Sequence, residues 1–304
     1  MEERVFRLSG LDGEPTLLAR SCAATGRPVL YVHGATFPSA LSVGYRFAGR
    51  SWMDDLAAHG FNAWGFDFAG YGGSDRYPGM SEPREGPPLG RAPEAARQIE
   101  RMVEHIVEVT GFERVSLVAH SWGTIAAGCY AMTNPSRIEK LCFFGPIAER
   151  RMADLPDPAR VGAWRLVTFE DQLKRFVEDV PRRHPPVLIE EHLDTWGPAY
   201  LASDHTSPSR APRSVKIPAG PQADIFSAWQ GVLGYKPWEI KTPLLIVRGE
   251  WDSVSNDMDA DWLLSHFASP TRKSVKIAKG THLMHLEKSR DDLFDVVRAF
   301  LARA

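Results

Sequence analysis

Short apolar runs rich in β-branched residues alternate along the chain with longer segments in which apolar residues keep helical spacing. Turn-forming residues bound most of these runs, which is typical of β-strands. Several runs are almost continuously apolar, as expected of parallel strands that are buried on both faces. Strands are predicted at 5–9, 16–20, 28–32, 62–68, 115–119, 140–144, 244–248 and 274–278.

Two of the intervening segments carry clear helix signals. Between residues 96 and 106, apolar residues recur three or four positions apart and stop before Gly111. The segment 289–301 opens with Ser289 and Asp292 at capping-box spacing and continues with apolar residues at helical spacing. The alternation of strands and helices predicts the α/β class, with a mostly parallel sheet covered by helices on both faces.

One segment interrupts the alternation. Eleven of the 23 prolines lie within 146–221, which is unsuited to a sheet. Apolar residues in 164–177 keep rough helical spacing, so a partly helical cap is predicted rather than a disordered linker. We expect a core domain in two parts, 1–146 and 236–304, with a cap or lid insertion at 147–235.

Composition narrows the classes of function. A chain of 304 residues can hold one large α/β domain with an insertion. The net charge of −2 and the interspersed signs make nucleic acid and membranes unexpected partners, and favour a small-molecule substrate. Three cysteines without metal-ligand spacing predict no disulfide framework. With no run apolar enough for a signal peptide or membrane span, we expect a cytoplasmic protein.

The first candidate for chemistry follows the strand predicted at 115–119. There Ser121 lies between Trp122 and His120, with the small residues Ala119 and Gly123 on either side and a helix-like segment after them. Small flanking residues suit a strained strand-to-helix turn that exposes a nucleophilic Oγ above the sheet. Glycine is usual at both flanks, and Ala119 departs from that pattern. A buried serine that caps a helix is the structural alternative.

A second turn, His33-Gly34-Ala35, directly follows the strand predicted at 28–32. In this position the backbone N–H of Ala35, together with that of Trp122, can point at a developing oxyanion. No side chain is needed for this role. His33 itself is equally well explained as a buried structural donor.

An acid and a histidine follow the last two predicted strands. Asp252 comes after the strand at 244–248, and His282 comes after the strand at 274–278. Because the carboxyl ends of parallel strands meet at one edge of a sheet, both side chains can reach Ser121. His285 is an alternative base, and a metal pair of His282 with His285 is a weaker alternative. Asp257, Asp259 and Asp261 are interpreted as solvated charges at a helix N-terminus.

With these residues assembled, the chain resembles the α/β-hydrolase superfamily over nearly its whole length. The resemblance rests on the turn at 33–34, the pentapeptide 119–123, the turn 249–252, the stretch 280–287 and the D-x-x-G-x-G-x-S turn at 67–74. The last of these is interpreted as structural. Relatives that attack with aspartate, such as epoxide hydrolases and haloalkane dehalogenases, differ from this chain at the nucleophile.

The resemblance implies acyl transfer to water. Ser121 would attack as nucleophile, His282 would act as base, Asp252 would orient the histidine, and the amides of Ala35 and Trp122 would stabilise the oxyanion. It implies no metal and no organic cofactor. A carboxylic ester that is small or medium-sized and largely apolar is the first hypothesis, with thioester, lactone or amide as neighbours. Cofactor-independent C–C bond hydrolysis, perhydrolysis and ligand binding with little turnover are the alternatives.

Substrate contacts are the least determined part of the site. Aromatic and aliphatic residues near the predicted turns and in the cap could line an apolar pocket, although each is also a candidate for ordinary core. The long segment 36–49 after the oxyanion turn is expected to form part of the site wall. The candidate substrate-binding residues are Phe37, Ile147, Trp164, Trp196, Phe226, Trp229 and Val254.

Overall fold

A computed structural model describes residues 3–11, 13–22, 24–189 and 193–303 of the chain. Eight of the ten strands in this part lie close to the predicted positions, and each of these eight begins and ends within a few residues of its expected bounds, whereas the two strands of the insertion were not predicted. They are β1 (Glu3–Leu8), β2 (Leu17–Cys22), β3 (Pro28–Val32), β4 (Asn62–Phe66), β5 (Val115–His120), β6 (Ile138–Phe144), β7 (Trp164–Thr168), β8 (Ser214–Pro218), β9 (Leu244–Gly249) and β10 (Arg272–Ile277).

Eight of the described strands form one sheet in the order β1-β2-β4-β3-β5-β6-β9-β10. Strand β2 is antiparallel to both of its neighbours, and every pair from β4 to β10 is parallel. This confirms the predicted fold class. The parallel part includes β3, β5 and β6, which are buried almost throughout, as their continuous apolar runs predicted.

Helices cover both faces of the sheet. They are α1 (Trp52–Ala58), α2 (Ala92–Thr110), α3 (Gly123–Thr133), α4 (Phe169–Val177), α5 (Leu193–Ala202), α6 (Gly220–Trp229), α7 (Asp257–His266) and α8 (Arg290–Ala302). Alternate residues of each central strand enter opposite core clusters, one shared with α1 and α8 and the other with α2, α3 and α7. On the first face, Trp52 stacks on Phe294 with ring centroids 4.7 Å apart.

The predicted helix signals had different outcomes. Helix α2 spans the expected apolar repeat and ends at Gly111, which adopts the left-handed conformation that favours glycine. Helix α8 is present, but its predicted capping box is absent because the Ser289 side chain makes no capping hydrogen bond. The backbone of Ser289 has ψ near 2° rather than the extended value that points an N-cap oxygen at the first turn.

The first part of the insertion differs from the rough helical spacing expected at 164–177. Residues 164–168 form β7, which pairs with β8 in an antiparallel ribbon separate from the main sheet. Helix α4 begins only after Thr168, whose side chain forms a capping box with Asp171. Pairing with β8 makes this segment a strand. Because β8 lies far along the chain from β7, the local sequence pattern could not indicate the pairing. The division into core and cap domains stays a prediction.

Register aligns the ends of the parallel strands at one edge of the sheet. Val32 lies beside Ala119, and Phe144 lies beside both His120 and Val247. The loops that follow β3, β5, β6, β9 and β10 therefore emerge together. Among the described helices, none is both long and apolar enough to cross a bilayer.

Candidate active site

The turn after β5 places Ser121 in the left-handed region, with φ of 54°. A non-glycine residue there is strained, and such strain occurs at functional turns. Gly123 lies so close to β3 that a Cβ would come within 2.5 Å of the His33 carbonyl oxygen. Ala119 is fully buried, so the turn accommodates its methyl group. The local geometry is that of the predicted strand–turn–helix element.

Three of the predicted residues form a continuous hydrogen-bonded chain. His282 Nε2 lies 2.8 Å from Ser121 Oγ, and His282 Nδ1 lies 2.9 Å from Asp252 Oδ2. Asp252 Oδ1 accepts hydrogen bonds from the amides of Val254 and Ser255, both at 2.9 Å. These amides hold the carboxylate in place, so it can in turn hold the imidazole with Nδ1 protonated and Nε2 free to accept.

The Ser–His–Asp group is shielded from water. The side chains of His282 and Asp252 are 6% and 0% exposed. Gly145 follows β6 with φ of 54°, and a Cβ at that position would lie 3.0 Å from the His282 ring. Glycine is required there for both conformation and space. A buried carboxylate paired with a buried imidazole interacts strongly because little solvent screens the two groups.

His33 has a structural role in the described geometry. Its Nε2 accepts a hydrogen bond from the Phe68 amide at 3.0 Å, so its Nδ1 carries the proton and donates to the Gly34 carbonyl at 2.7 Å. Burial lowers the pKa of His33, which favours this neutral form. The residue therefore fastens the turn after β3 to the loop after β4. Asp67 in that loop accepts from the Ser39 amide at 2.8 Å, in keeping with the structural interpretation of the 67–74 turn.

Of the two expected oxyanion donors, Ala35 lines the same cavity as Ser121, described below, and Trp122 directly follows Ser121 in the chain. Trp122 is not among the lining residues and its indole points into the core. Across the described ranges, neither amide donates to a backbone carbonyl. The Trp122 indole donates to Asp224 at 2.9 Å, and Asp224 also accepts from Arg91 and the Ala92 amide. Asp224 thereby ties the turn after β5 to α2 and α6, a link that sequence reasoning missed.

Two further histidines, His120 and His285, lie next to His282. His120 Nε2 donates to the His282 carbonyl at 2.9 Å, and its ring stacks on Phe144. The pKa values of His120 and His285 are both lowered by burial, the latter to about 3, so both rings are neutral at pH 7. His285 packs against His120 and Phe37 and makes no hydrogen bond to Ser121. The geometry thus favours His282 over His285 as base.

The acids after Asp252 are only partly the solvated charges that the sequence suggested. Asp257 is exposed beside Lys276. Asp259 is buried, caps α7 together with Asn256, and pairs with Arg150. The interpretation is wrong for Asp259 because a cation from the insertion reaches it, and such a non-local partner is invisible in the local pattern.

A cavity of about 150 Å³ opens on Ser121 and His282. Three of the expected substrate-binding residues, Phe37, Trp229 and Val254, line it together with Thr36, Ile225 and Leu283. The first residues of the segment 36–49 therefore form part of the wall. The lining is mostly apolar, which suits burial of hydrocarbon groups.

The structure places the other candidates outside the described lining of the cavity. Ile147 is fully buried behind the sheet edge. Trp196 lies behind Phe37, stacked on Tyr200, and its indole donates to the Leu41 carbonyl. The Trp164 indole donates to the Glu82 carbonyl. Phe226 packs with a small satellite cluster, and its neighbour Ile225 faces the cavity instead. Apolar character alone could not separate lining from core at these positions.

Two arginines, Arg165 and Arg175, also line the cavity. Both come from the insertion, Arg165 on β7 and Arg175 on α4. Sequence reasoning missed them because it weighed only apolar residues in this segment. The residue types in 164–168 do not alternate between apolar and polar, so the sequence carried no clear signal that would place Arg165 on one face of a strand.

Glu287 is fully buried and accepts hydrogen bonds from the amide and the hydroxyl of Thr281, the residue before His282. Burial raises the pKa of Glu287 to about 7, and the nearby carboxylates of Asp179 and Asp252 act in the same direction. Its side chain supports the loop that carries His282.

We expect Glu287→Gln to become more stable relative to wild type as the pH rises. From about pH 4.3, where an unfolded glutamate ionises, to about pH 7, the folded wild type holds a proton that the unfolded chain has lost. Wild-type stability therefore falls over this window, by about 4 kcal/mol in total, and the glutamine variant escapes the loss. Urea unfolding at pH 5 and pH 8 measures the difference. The control is Glu113→Gln, which makes the same change at an exposed position. If the free energy of unfolding depends on pH in the same way in Glu287→Gln and wild type, the prediction is wrong.

The fold and the arrangement of the site define the class of protein as an α/β hydrolase. The chain belongs to the α/β-hydrolase fold family, whose model matches residues 27–289. No curated protein matches the chain in sequence.

Solved structures of the same fold cover nearly the entire chain. An esterase from Thermogutta terrifontis is 18% identical, with a TM-score of 0.61 and coverage of 99% of this chain and 98% of that one. The thioesterase domain of the curacin biosynthetic pathway is 15% identical, with a TM-score of 0.63 and coverage of 98% and 100%. Epoxide hydrolase VrEH1 from Vigna radiata is 14% identical, with a TM-score of 0.61 and coverage of 99% and 97%. At these identities the similarity demonstrates the fold alone.

Proposed function

We propose that the protein is a serine hydrolase that cleaves a small, largely apolar carboxylic ester through an acyl-enzyme. The observation that carries the proposal is the hydrogen-bonded chain from Ser121 through His282 to Asp252. Thioesters, lactones and amides react by the same acyl transfer and belong to the same proposal.

In the first half-reaction, His282 Nε2 takes the proton of Ser121 Oγ as the oxygen attacks the substrate carbonyl carbon. The imidazolium formed is stabilised by Asp252, whose carboxylate is already held by the Val254 and Ser255 amides. His282 then donates the proton to the leaving oxygen. In the second half-reaction, His282 takes a proton from water as the water oxygen attacks the acyl carbon, and it returns that proton to Ser121 Oγ as the C–O bond to the serine breaks and the acid is released.

The negative charge that develops on the carbonyl oxygen needs donors on the far side from the histidine. The amides of Ala35 and Trp122 are the proposed donors, and neither is used by another backbone carbonyl in the described part of the chain. Trp122 cannot turn its backbone freely because its indole is bonded to Asp224. Donors that need no reorganisation contribute most to such stabilisation.

The cavity limits the substrate. Its volume of about 150 Å³ is comparable with apolar cavities that hold one benzene molecule, so a short acyl or alcohol group fits and a long chain would have to project outward. Phe37, Trp229 and Val254 present apolar surface to that group. Epoxide opening by an aspartate nucleophile is disfavoured because position 121 is serine.

Labelling with a fluorophosphonate tests the proposal. The probe transfers its phosphonyl group to an activated serine Oγ with loss of fluoride, so we expect one label per chain at Ser121, located by mass spectrometry. Ser121→Ala and His282→Ala should both abolish labelling. Ser253→Ala, at an exposed serine near Asp252, should retain it. Failure of wild type to react, combined with stoichiometric binding of esters without turnover, would point to an idle binding protein.

A further inference from the structure

The cavity contains one cation that lacks an acidic partner. Arg165 lines the cavity, and its Nε is buried without a hydrogen-bond partner. No carboxylate among the described residues forms an ion pair with this guanidinium. Asp171, whose charge acts on Arg165 through space, accepts hydrogen bonds from the amide and hydroxyl of Thr168.

The second arginine of the cavity provides a contrast. Arg175 forms ion pairs with Glu178 and Asp179 on the following turn of the chain. Its charge is compensated within the protein. Two guanidinium groups therefore line the same small space, and only that of Arg165 has an unmet requirement for an anion.

An unpaired charge beside apolar walls is costly for the folded protein. Burial lowers the pKa of Arg165, but a guanidinium stays protonated at any physiological pH. The phenol groups of Tyr71 and Tyr200 also act on Arg165, but burial raises the pKa values of both, so they remain neutral and supply no negative charge. The carboxylate of Asp171 acts on Arg165 only from an exposed position, where solvent screens it. A ligand that supplies a negative charge would remove this cost.

We propose that Arg165 binds a carboxylate of the substrate, so that the preferred ester carries one carboxylate on an otherwise apolar framework. A planar guanidinium matches a carboxylate through two parallel N–H···O hydrogen bonds. The apolar residues around Ser121 then hold the uncharged part, and the scissile carbonyl lies between the two ends. This assignment rests on the proposed acyl transfer at Ser121 and narrows its substrate class to monoanionic esters.

Two pairs of substrates, each matched in shape, test the proposal. With the carboxylate on the leaving group, the pair is 4-(butanoyloxy)benzoate and 4-(butanoyloxy)benzamide. With the carboxylate on the acyl group, it is monoethyl adipate and ethyl adipamate. For each pair, the ratio of kcat/KM between the acid and the amide is measured by product chromatography. This ratio does not depend on the fraction of enzyme that is folded, so a poorly folding variant remains informative.

In wild type, we expect at least one pair to favour the acid. Arg165→Gln should lower that ratio by about 10-fold to 150-fold, the loss typical of a hydrogen bond to a charged group. Arg175→Gln makes the same chemical change in the same cavity at a cation that is already paired, and its ratio should stay within about threefold of wild type. Unchanged ratios in Arg165→Gln for both pairs would overturn the proposal.

A binding measurement separates this inference from the proposed function. In the Ser121→Ala protein, which cannot form an acyl-enzyme, calorimetry with 4-(butanoyloxy)benzoate should detect binding that a second change, Arg165→Gln, weakens at least tenfold. Binding that depends on Arg165 in a protein that hydrolyses no ester would sustain the carboxylate site and reject the hydrolase. Ester hydrolysis at Ser121, with no effect of Arg165→Gln on binding or on the acid-to-amide ratio of kcat/KM, would sustain the hydrolase and reject the carboxylate site.

Discussion

Replacement of Ser121 by alanine is expected to lower kcat for 4-(butanoyloxy)benzamide by about 10⁴-fold to 10⁶-fold, to the level left by the oxyanion donors and binding alone. The variant removes the Oγ that lies 2.8 Å from His282 Nε2 and leaves the rest of the cavity in place. Without this oxygen no acyl-enzyme can form. Steady-state kinetics at pH 7 to 8 measure kcat of wild type and of Ser121→Ala, and hence the size of the fall.

A second variant at the same position separates chemistry from backbone strain. Ser121→Gly also removes the nucleophile, but it suits the left-handed φ of 54°, which costs a residue with a Cβ about 1 kcal/mol. Both variants should therefore be equally inactive, while Ser121→Gly resists urea better than Ser121→Ala. Residual activity above about 1% of wild type in both would show that another group performs the attack.

Asp252→Asn is expected to lower kcat by about 10⁴-fold while the folded structure persists. The amides of Val254 and Ser255 hold Oδ1, so the asparagine side chain should keep its oxygen there and place its NH₂ group opposite His282 Nδ1. A donor at that point forces Nδ1 to accept and moves the ring proton to Nε2. The histidine then cannot take the Ser121 proton.

The control for this prediction is Asp257→Asn, which makes the same change at an exposed aspartate five residues along. It should retain kcat within about twofold of wild type. The rate of fluorophosphonate labelling provides a second readout and should fall with kcat in Asp252→Asn alone. If Asp252→Asn keeps more than a tenth of wild-type kcat, Asp252 does not orient His282 during turnover.

The strand positions and the order of the site residues could be predicted because they depend on local patterns. An apolar run that ends in a turn places the following polar residues at the edge of a parallel sheet. Ser121, Asp252 and His282 all follow such runs and come together in the structure. The expectation for His33 as a structural donor depended on the same logic.

The cavity could not be predicted in the same way. Phe37, beside the turn at 33–35, and Trp196, in the insertion, were both candidates for substrate contact, yet Phe37 lines the cavity and Trp196 lies behind it. Which ring faces the space depends on where the insertion packs against the core. Arg165 was missed for a related reason, since its strand exists only through pairing with β8.

The sequence by itself determined the α/β class, the edge of the sheet where chemistry is concentrated, and the residue types at that edge, because strand period and turn residues are encoded locally. Only the tertiary structure decided how the insertion covers that edge, which side chains line the cavity, and that Arg165 lacks an acidic partner there. These features depend on contacts between segments far apart in the chain. Their burial and charge compensation arise only when those segments pack together.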